Sequence, residues 1–181
     1  MHLGGRLSIF RHLEVEIARL TGLFFLESEE MTEILEKMRE LLSPILAQHQ
    51  AFLVDLGVKG ERGGKLIQAF IDTDAGIAIE TCAEISRELA QELDRAEIIQ
   101  GSYRLEVSSP GIDKPLRMLR QYRKNVGRLF RVKYQSDGAQ ASFVGKLLAV
   151  EHESLEFETE AGESVTLEFT KILESKEELP W

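Results

Sequence analysis

Two hydrophobic periods alternate along residues 31–109. Ile34, Leu35, Met38, Leu41, Leu42, Ile45 and Leu46 recur at helical spacing. Thr32 can cap that helix, and Glu33 and Glu36 suit the positive end of its dipole. Pro44 interrupts the pattern, so a kink or break is expected near Leu42. Phe52, Val54, Leu56 and Val58 then alternate with Leu53, Asp55 and Gly57, which predicts a strand with one buried face. Gly60-Glu61-Arg62-Gly63-Gly64 reads as a hairpin loop, and residues 66–72 as the returning strand, apolar on both faces. After the turn Asp72-Thr73-Asp74-Ala75-Gly76, a helix is expected over about 80–96, with Cys82, Ile85, Leu89 and Leu93 on one face. Tyr103, Leu105 and Val107 alternate with Arg104, Glu106 and Ser108 as a further strand. The order is helix, strand, strand, helix, strand.

That last strand stops at a corner made by Ser108, Ser109, Pro110 and Gly111. Proline pre-sets φ at the first central position of a turn, and glycine accepts the positive φ that a type II turn needs next. Asp113 and Lys114 lead to Pro115, whose missing N–H costs nothing in the first turn of a helix. A short helix is expected over 116–124. Arg117, Arg120 and Lys124 fall on one side of it, and Met118, Leu119 and Tyr122 nearly opposite. Gly127 ends it. Short strands follow at 129–134, 141–150, 154–159 and 164–169, with a final turn or strand at 170–173. Short strands separated by tight turns predict a small barrel. Gly145 is expected to permit a sharp bend in its strand.

Composition adds a compartment and a charge map. A single cysteine among 181 residues excludes an internal disulfide and fits a reducing compartment, so a cytoplasmic protein is expected. The apolar runs are too short to cross a bilayer. The formal net charge is −9, but it is unevenly spread. Residues 1–100 carry 10 basic and 18 acidic side chains, residues 101–135 carry 9 and 2, and residues 136–181 carry 3 and 11. A basic belt therefore lies between two acidic halves, and local fields govern contacts because charge is screened within about 8 Å at physiological salt.

Leu105-Glu106-Val107-Ser108-Ser109-Pro110-Gly111-Ile112-Asp113-Lys114-Pro115-Leu116 resembles the signature of the RimP family, bacterial ribosome maturation factors. The resemblance extends from about Thr32 to Leu179 and includes Phe143-x-Gly145-x-Leu147 and Ile172. It implies an α+β chain. The N-terminal α/β domain, over 31–109, would hold a three-stranded sheet with two helices in the order αββαβ. A linker and basic helix would occupy 110–127, and an SH3-like or Sm-like small β-barrel 128–181. It also implies a non-enzymatic role in assembling the small ribosomal subunit. Two departures stand out. His49-Gln50 replaces the glycine often found after the first helix, and the family normally begins near Met31. Residues 1–30 are thus an over-long gene model, a real extension, or a small docking helix spaced on Leu13, Ile17 and Leu20.

Asp72-x-Asp74 has two carboxylates but no further nearby ligands, and reads better as a solvated turn than a metal site. His2, His12, His49 and His152 lack ligand spacing. Cys82 lies on an apolar helix face and reads as core. Ser108-Ser109-Pro110-Gly111 lacks the glycine density and the lysine–hydroxyl ending of a phosphate loop, so a rigid interdomain corner is the better reading. No nucleophile, base and oxyanion set is visible, and no enzyme, cofactor or metal is expected.

The belt holds Arg104, Lys114, Arg117, Arg120, Arg123, Lys124, Arg128, Arg131 and Lys133, mostly arginine. It reads as an rRNA backbone surface, against the alternative of a seam in which these cations pair with acidic neighbours. Glu151, Glu153, Glu156, Glu158 and Glu163 would repel phosphate and attract a basic protein. The partners expected are the immature small subunit, its rRNA and a basic small-subunit ribosomal protein, with the factor itself a monomer and no membrane involved. The alternatives are an Sm-like protein acting on free small RNAs, and a nucleotide-handling enzyme using the Ser-Pro-Gly loop.

Overall fold

The computed structural model describes residues 31–61, 64–112, 114–136 and 138–179. Residues 1–30 and Asp113 lie outside them, and with them the readings made there. Residues 31–48 form one helix, α1. The helix is not broken near Leu42, where Pro44 suggests a kink or break. A proline there removes one N–H bond to the preceding turn, and the buried Met38, Leu42, Ile45 and Leu46 on either side hold the helix against its sheet. The helix closes without glycine. Gln50 takes the left-handed conformation (φ 52°), its N–H reaches Ala47 O, and Ala51 N–H reaches Leu46 O. That pair of bonds is a Schellman closure, with Gln50 where glycine is usual.

The hairpin β1 (Phe52–Glu61) and β2 (Gly64–Asp72) is antiparallel. The next helix, α2 (Ile79–Ala96), is the crossover that lets β3 (Tyr103–Ser108) run parallel to β2. The strand order is β1-β2-β3. One face of this sheet presents Leu56, Ile67, Ala69 and Ile71 to Ile34, Met38 and Leu42 of α1 and to Cys82, Ile85, Leu89 and Leu93 of α2.

The single buried face expected for β1 is split by a bulge. Leu53 pairs with Ile71, but the next pair is Asp55 with Phe70. The extra residue returns Leu56 to the helix side, opposite Ala69. Phe52, opposite Asp72, therefore belongs to the other face with Asp55 and Phe70. That helix-free face receives the junction described below.

A second sheet follows a short α3 (Leu119–Arg123), which is shorter than the helix expected over 116–124. The Gln121 side chain explains the late start, because its Oε1 accepts the N–H groups of Arg117 (2.9 Å) and Met118 (3.0 Å). The strands are β4 (Leu129–Ser136), β5 (Ala139–Glu151), β6 (Ser154–Thr159), β7 (Ser164–Glu168) and β8 (Ile172–Glu177). They pair antiparallel in the order β7-β6-β5-β4-β8. The long β5 is shared, pairing with β4 through Lys146 and with β6 from Gly145 onward.

Gly145 is required there for room rather than for a special φ. A Cβ would meet the Phe143 ring at 2.9 Å and Glu158 O at 3.0 Å. Phe130, Val132, Leu147, Leu155, Phe157 and Leu167 form the second core, into which α3 inserts Tyr122. Burial pushes the Tyr122 phenol up to about 12, only partly offset by the nearby Ser175 hydroxyl. Neither hydroxyl completes a hydrogen bond within this core.

Candidate nucleic-acid and protein interfaces

The corner turns as its sequence requires, with Gly111 at φ 67°, the left-handed value glycine adopts freely. Beyond it the chain is tied to the second sheet. Leu116 N–H donates to Ser175 O (2.8 Å) and Gly127 N–H to Leu147 O (2.7 Å). Tyr122 and Leu119 face that sheet's core, so the basic side chains spaced three and four apart must face away from it. What they meet is the helix-free face of the first sheet.

Lys114 Nζ sits 2.9 Å above the Phe70 ring centroid, and its pKa is lowered, chiefly by desolvation. Arg117 Nη1 is 3.4 Å from Asp55 Oδ1. Arg120 grips Asp74 with two bonds, Nε to Oδ1 at 3.0 Å and Nη2 to Oδ2 at 2.9 Å, while its guanidinium carbon lies 3.8 Å over the Phe52 ring. This grip holds the Asp74 carboxyl below its usual range. Lys124 Nζ binds Asp72 Oδ1 and, at 3.0 Å, Thr73 O.

Asp72 is 5% exposed, so the solvated turn expected at Asp72-x-Asp74 is instead an anchor. The exposed pairs add little to stability, because water screens them and both side chains must be held still. The Lys124–Asp72 pair is the one removed from water, so breaking it is what costs most.

The rest of the belt is also matched. Arg104 Nη2 is 3.2 Å from Glu106 Oε1. Across β4 and β8, Arg128 Nη1 reaches both oxygens of Glu177 (2.8 and 2.9 Å), Arg131 grips Glu178 with two bonds, and Lys133 Nζ is 3.4 Å from Glu174. Arg123 is exposed and makes no ion pair within 4 Å among the described residues. Sequence reasoning named the cations but missed Asp55, Asp74, Glu177 and Glu178 as their partners. The acidic turn at 72–74 and the one-sided basic stripe were the available signal.

The acidic strands differ. Leu155 and Phe157 point into the core, so Glu156 and Glu158 point out. Glu151, Glu153, Glu158 and Glu163 are exposed. Glu156 is half-buried and accepts a hydrogen bond from Ser164 Oγ at 3.0 Å. None of the five forms an ion pair among the described residues, although Lys146 stands opposite Glu158 in the β5–β6 register. A bulge between Leu147 and Ala149 leaves Leu148 39% exposed on the neighbouring strand.

Cys82 is buried, and burial raises its thiol pKa despite the Ser109 N–H against it. His49 Nε2 lies 2.9 Å from Glu88 Oε1. Between the two sheets a cleft of about 290 Å³ is lined by Asp72, Gly76, Ser109, Pro110, Lys124 and Arg128, among others. Of the corner residues, Ser109 and Pro110 border this cleft, Ser108 ends β3, and Pro115 lies beside Phe70 and Arg117. No helix among the described residues is long and apolar enough to cross a membrane. Residues 41–113, from the middle of α1 through the corner, match the family model described as the RimP N-terminal domain, which supports the RimP family for that part of the chain.

Proposed function

We propose that this protein is a ribosome maturation factor of the small subunit, acting in the cytoplasm as a non-catalytic monomer. It would hold a basic ribosomal protein and nearby rRNA in register while the site matures, and leave afterwards. Residues 31–109 and 128–181 would be its two domains, with 110–127 as the join. The five antiparallel strands, with β5 shared between two neighbours, support an SH3-like barrel for the second.

The observation that carries the reading is the carboxylate surface of β5–β7. Glu151, Glu153, Glu156, Glu158 and Glu163 gather without a cation of their own among the described residues, an arrangement suited to a basic partner. The rRNA contact falls to Arg123 first and then to the other exposed belt residues Arg104, Arg117, Arg128, Arg131 and Lys133. Arginines already holding carboxylates could reach phosphate only by sharing or exchanging that partner.

Co-sedimentation with free small subunits, assembled ribosomes and bare rRNA at two salt concentrations tests the reading. Salt-sensitive binding selective for small subunits is expected. Equal binding to any RNA, or to none of the three, would overturn it.

A further inference from the structure

We propose that the basic stripe of the junction is a latch with two competing ligands. The aspartates of the first sheet dock the second sheet against it, and RNA phosphates release it. The inference rests on the RNA reading above and adds how binding is coupled to the arrangement of the two sheets.

Three features carry it. First, the stripe belongs mechanically to the second sheet, through Leu116 to Ser175 O and Gly127 to Leu147 O. Its charged ends, however, are held by the first sheet, at Asp55, Asp74 and Asp72. Whatever displaces those carboxylates removes the ion pairs between the two sheets and leaves the stacking of Lys114 on Phe70 and Arg120 on Phe52, beside the covalent Ser109–Pro110–Gly111 corner, to hold them.

Second, the latch is reachable. The Arg117 and Arg120 side chains are 58% and 41% exposed, and Asp74 is 68% exposed. A guanidinium fork accepts a phosphate as readily as a carboxylate, but its two-bond grip serves one anion at a time. Third, Arg123 is exposed one turn from Arg120 and has no ion pair among the described residues, which gives a polyanion a first foothold beside the occupied cations. The deeper Lys124–Asp72 pair, with side chains 21% and 8% exposed, resists exchange and would yield last.

The test uses the full chain with spin labels at Glu92→Cys and Glu160→Cys in a Cys82→Ser background, and a 20-nucleotide oligouridylate as probe. In the parent, RNA is expected to broaden and lengthen the label-to-label distance. Asp55→Asn with Asp74→Asn should be broad without RNA and bind it roughly three- to tenfold more tightly, since two exposed competitors are gone. The exchange Arg120→Asp with Asp74→Arg should keep the distance narrow yet bind RNA more weakly. If RNA binds the parent with no change in distance, and the double asparagine variant gains no affinity, the latch is wrong while the RNA reading stands. If neither protein binds RNA, both fall.

Discussion

The two charged regions of this protein are opposite in more than sign. The basic belt has more charged groups, nine against five, yet every member except Arg123 has a carboxylate or ring of its own chain against it. The acidic surface of β5–β7 has fewer, yet Glu151, Glu153, Glu156, Glu158 and Glu163 form no ion pair among the described residues. The number of like charges in a sequence is therefore a poor guide to charge available for binding. What decides availability is whether the fold places the opposite sign within reach. The junction around α3 brings Arg117, Arg120 and Lys124 onto Asp55 of β1, Asp74 in the turn after β2, and Asp72 at the end of β2. The pairs of β6 and β7, by contrast, set Glu156 and Glu158 opposite Thr166 and Ser164.

The comparison breaks hardest at Lys124. If the belt is structural where it meets the first sheet, Lys124→Ala should leave the buried Asp72 carboxylate, among the described residues, with the Thr73 N–H at 2.8 Å as its hydrogen-bond donor. A loss of about 2–4 kcal/mol in urea unfolding is expected, the cost of an uncompensated buried charge. A loss below about 0.5 kcal/mol, the usual range for a free surface residue, would mean that Lys124 is available for ligand after all.

That pair also marks the limit of what the sequence made legible. Most helices and strands could be read from periodicity, because apolar side chains must find one side of a helix or sheet. Three features resisted. The bulge at Leu53–Asp55 redirects Phe52 without altering the apparent alternation. The strand β8, Ile-Leu-Glu-Ser-Lys-Glu, is too charged to signal a strand, yet it pairs with β4, where Lys133 meets Glu174, while Arg128 just before β4 meets Glu177. The short α3 depends on Gln121 bonding backwards, which no propensity reports. The cations of the candidate site were visible, but their occupation was not, since Asp72 and Lys124 are 52 residues apart.

A second, smaller effect concerns the acidic surface. Glu153→Gln, Glu158→Gln and Glu163→Gln together should weaken binding to free small subunits about ten- to thirtyfold, mainly through the association rate. Stability in urea should change by less than about 0.5 kcal/mol per site, since these side chains hold nothing in place. Undiminished subunit binding would move the contact elsewhere. Smaller again, Arg131→Ala should lower the urea midpoint only slightly, because the pair it makes with Glu178 is open to solvent. The difference from the parent should shrink in 1 M salt, where screening acts within about 3 Å. A cost that persists in salt would point to lost packing of the arginine stem instead.

The smallest effect is also the most specific, because it follows protons. Arg120 lowers the Asp74 pKa from its ordinary 3.8, mainly by hydrogen bonding, and Arg131 does the same to Glu178 from 4.5. A carboxyl whose folded pKa is depressed contributes stability that is fully present above its unfolded pKa. That contribution is lost as pH falls through the folded one. At pH 6 the parent should therefore be slightly more stable than Asp74→Asn or Glu178→Gln. The gap should close as acid is added, beginning near pH 4.5 for Glu178 and near 3.8 for Asp74 and finishing below those values. Urea midpoints measured every half unit from pH 6 to pH 3 read this directly. A gap that stays constant across the range would mean that neither carboxylate is gripped in solution, and that the belt is as open to an outside partner as the acidic strands are.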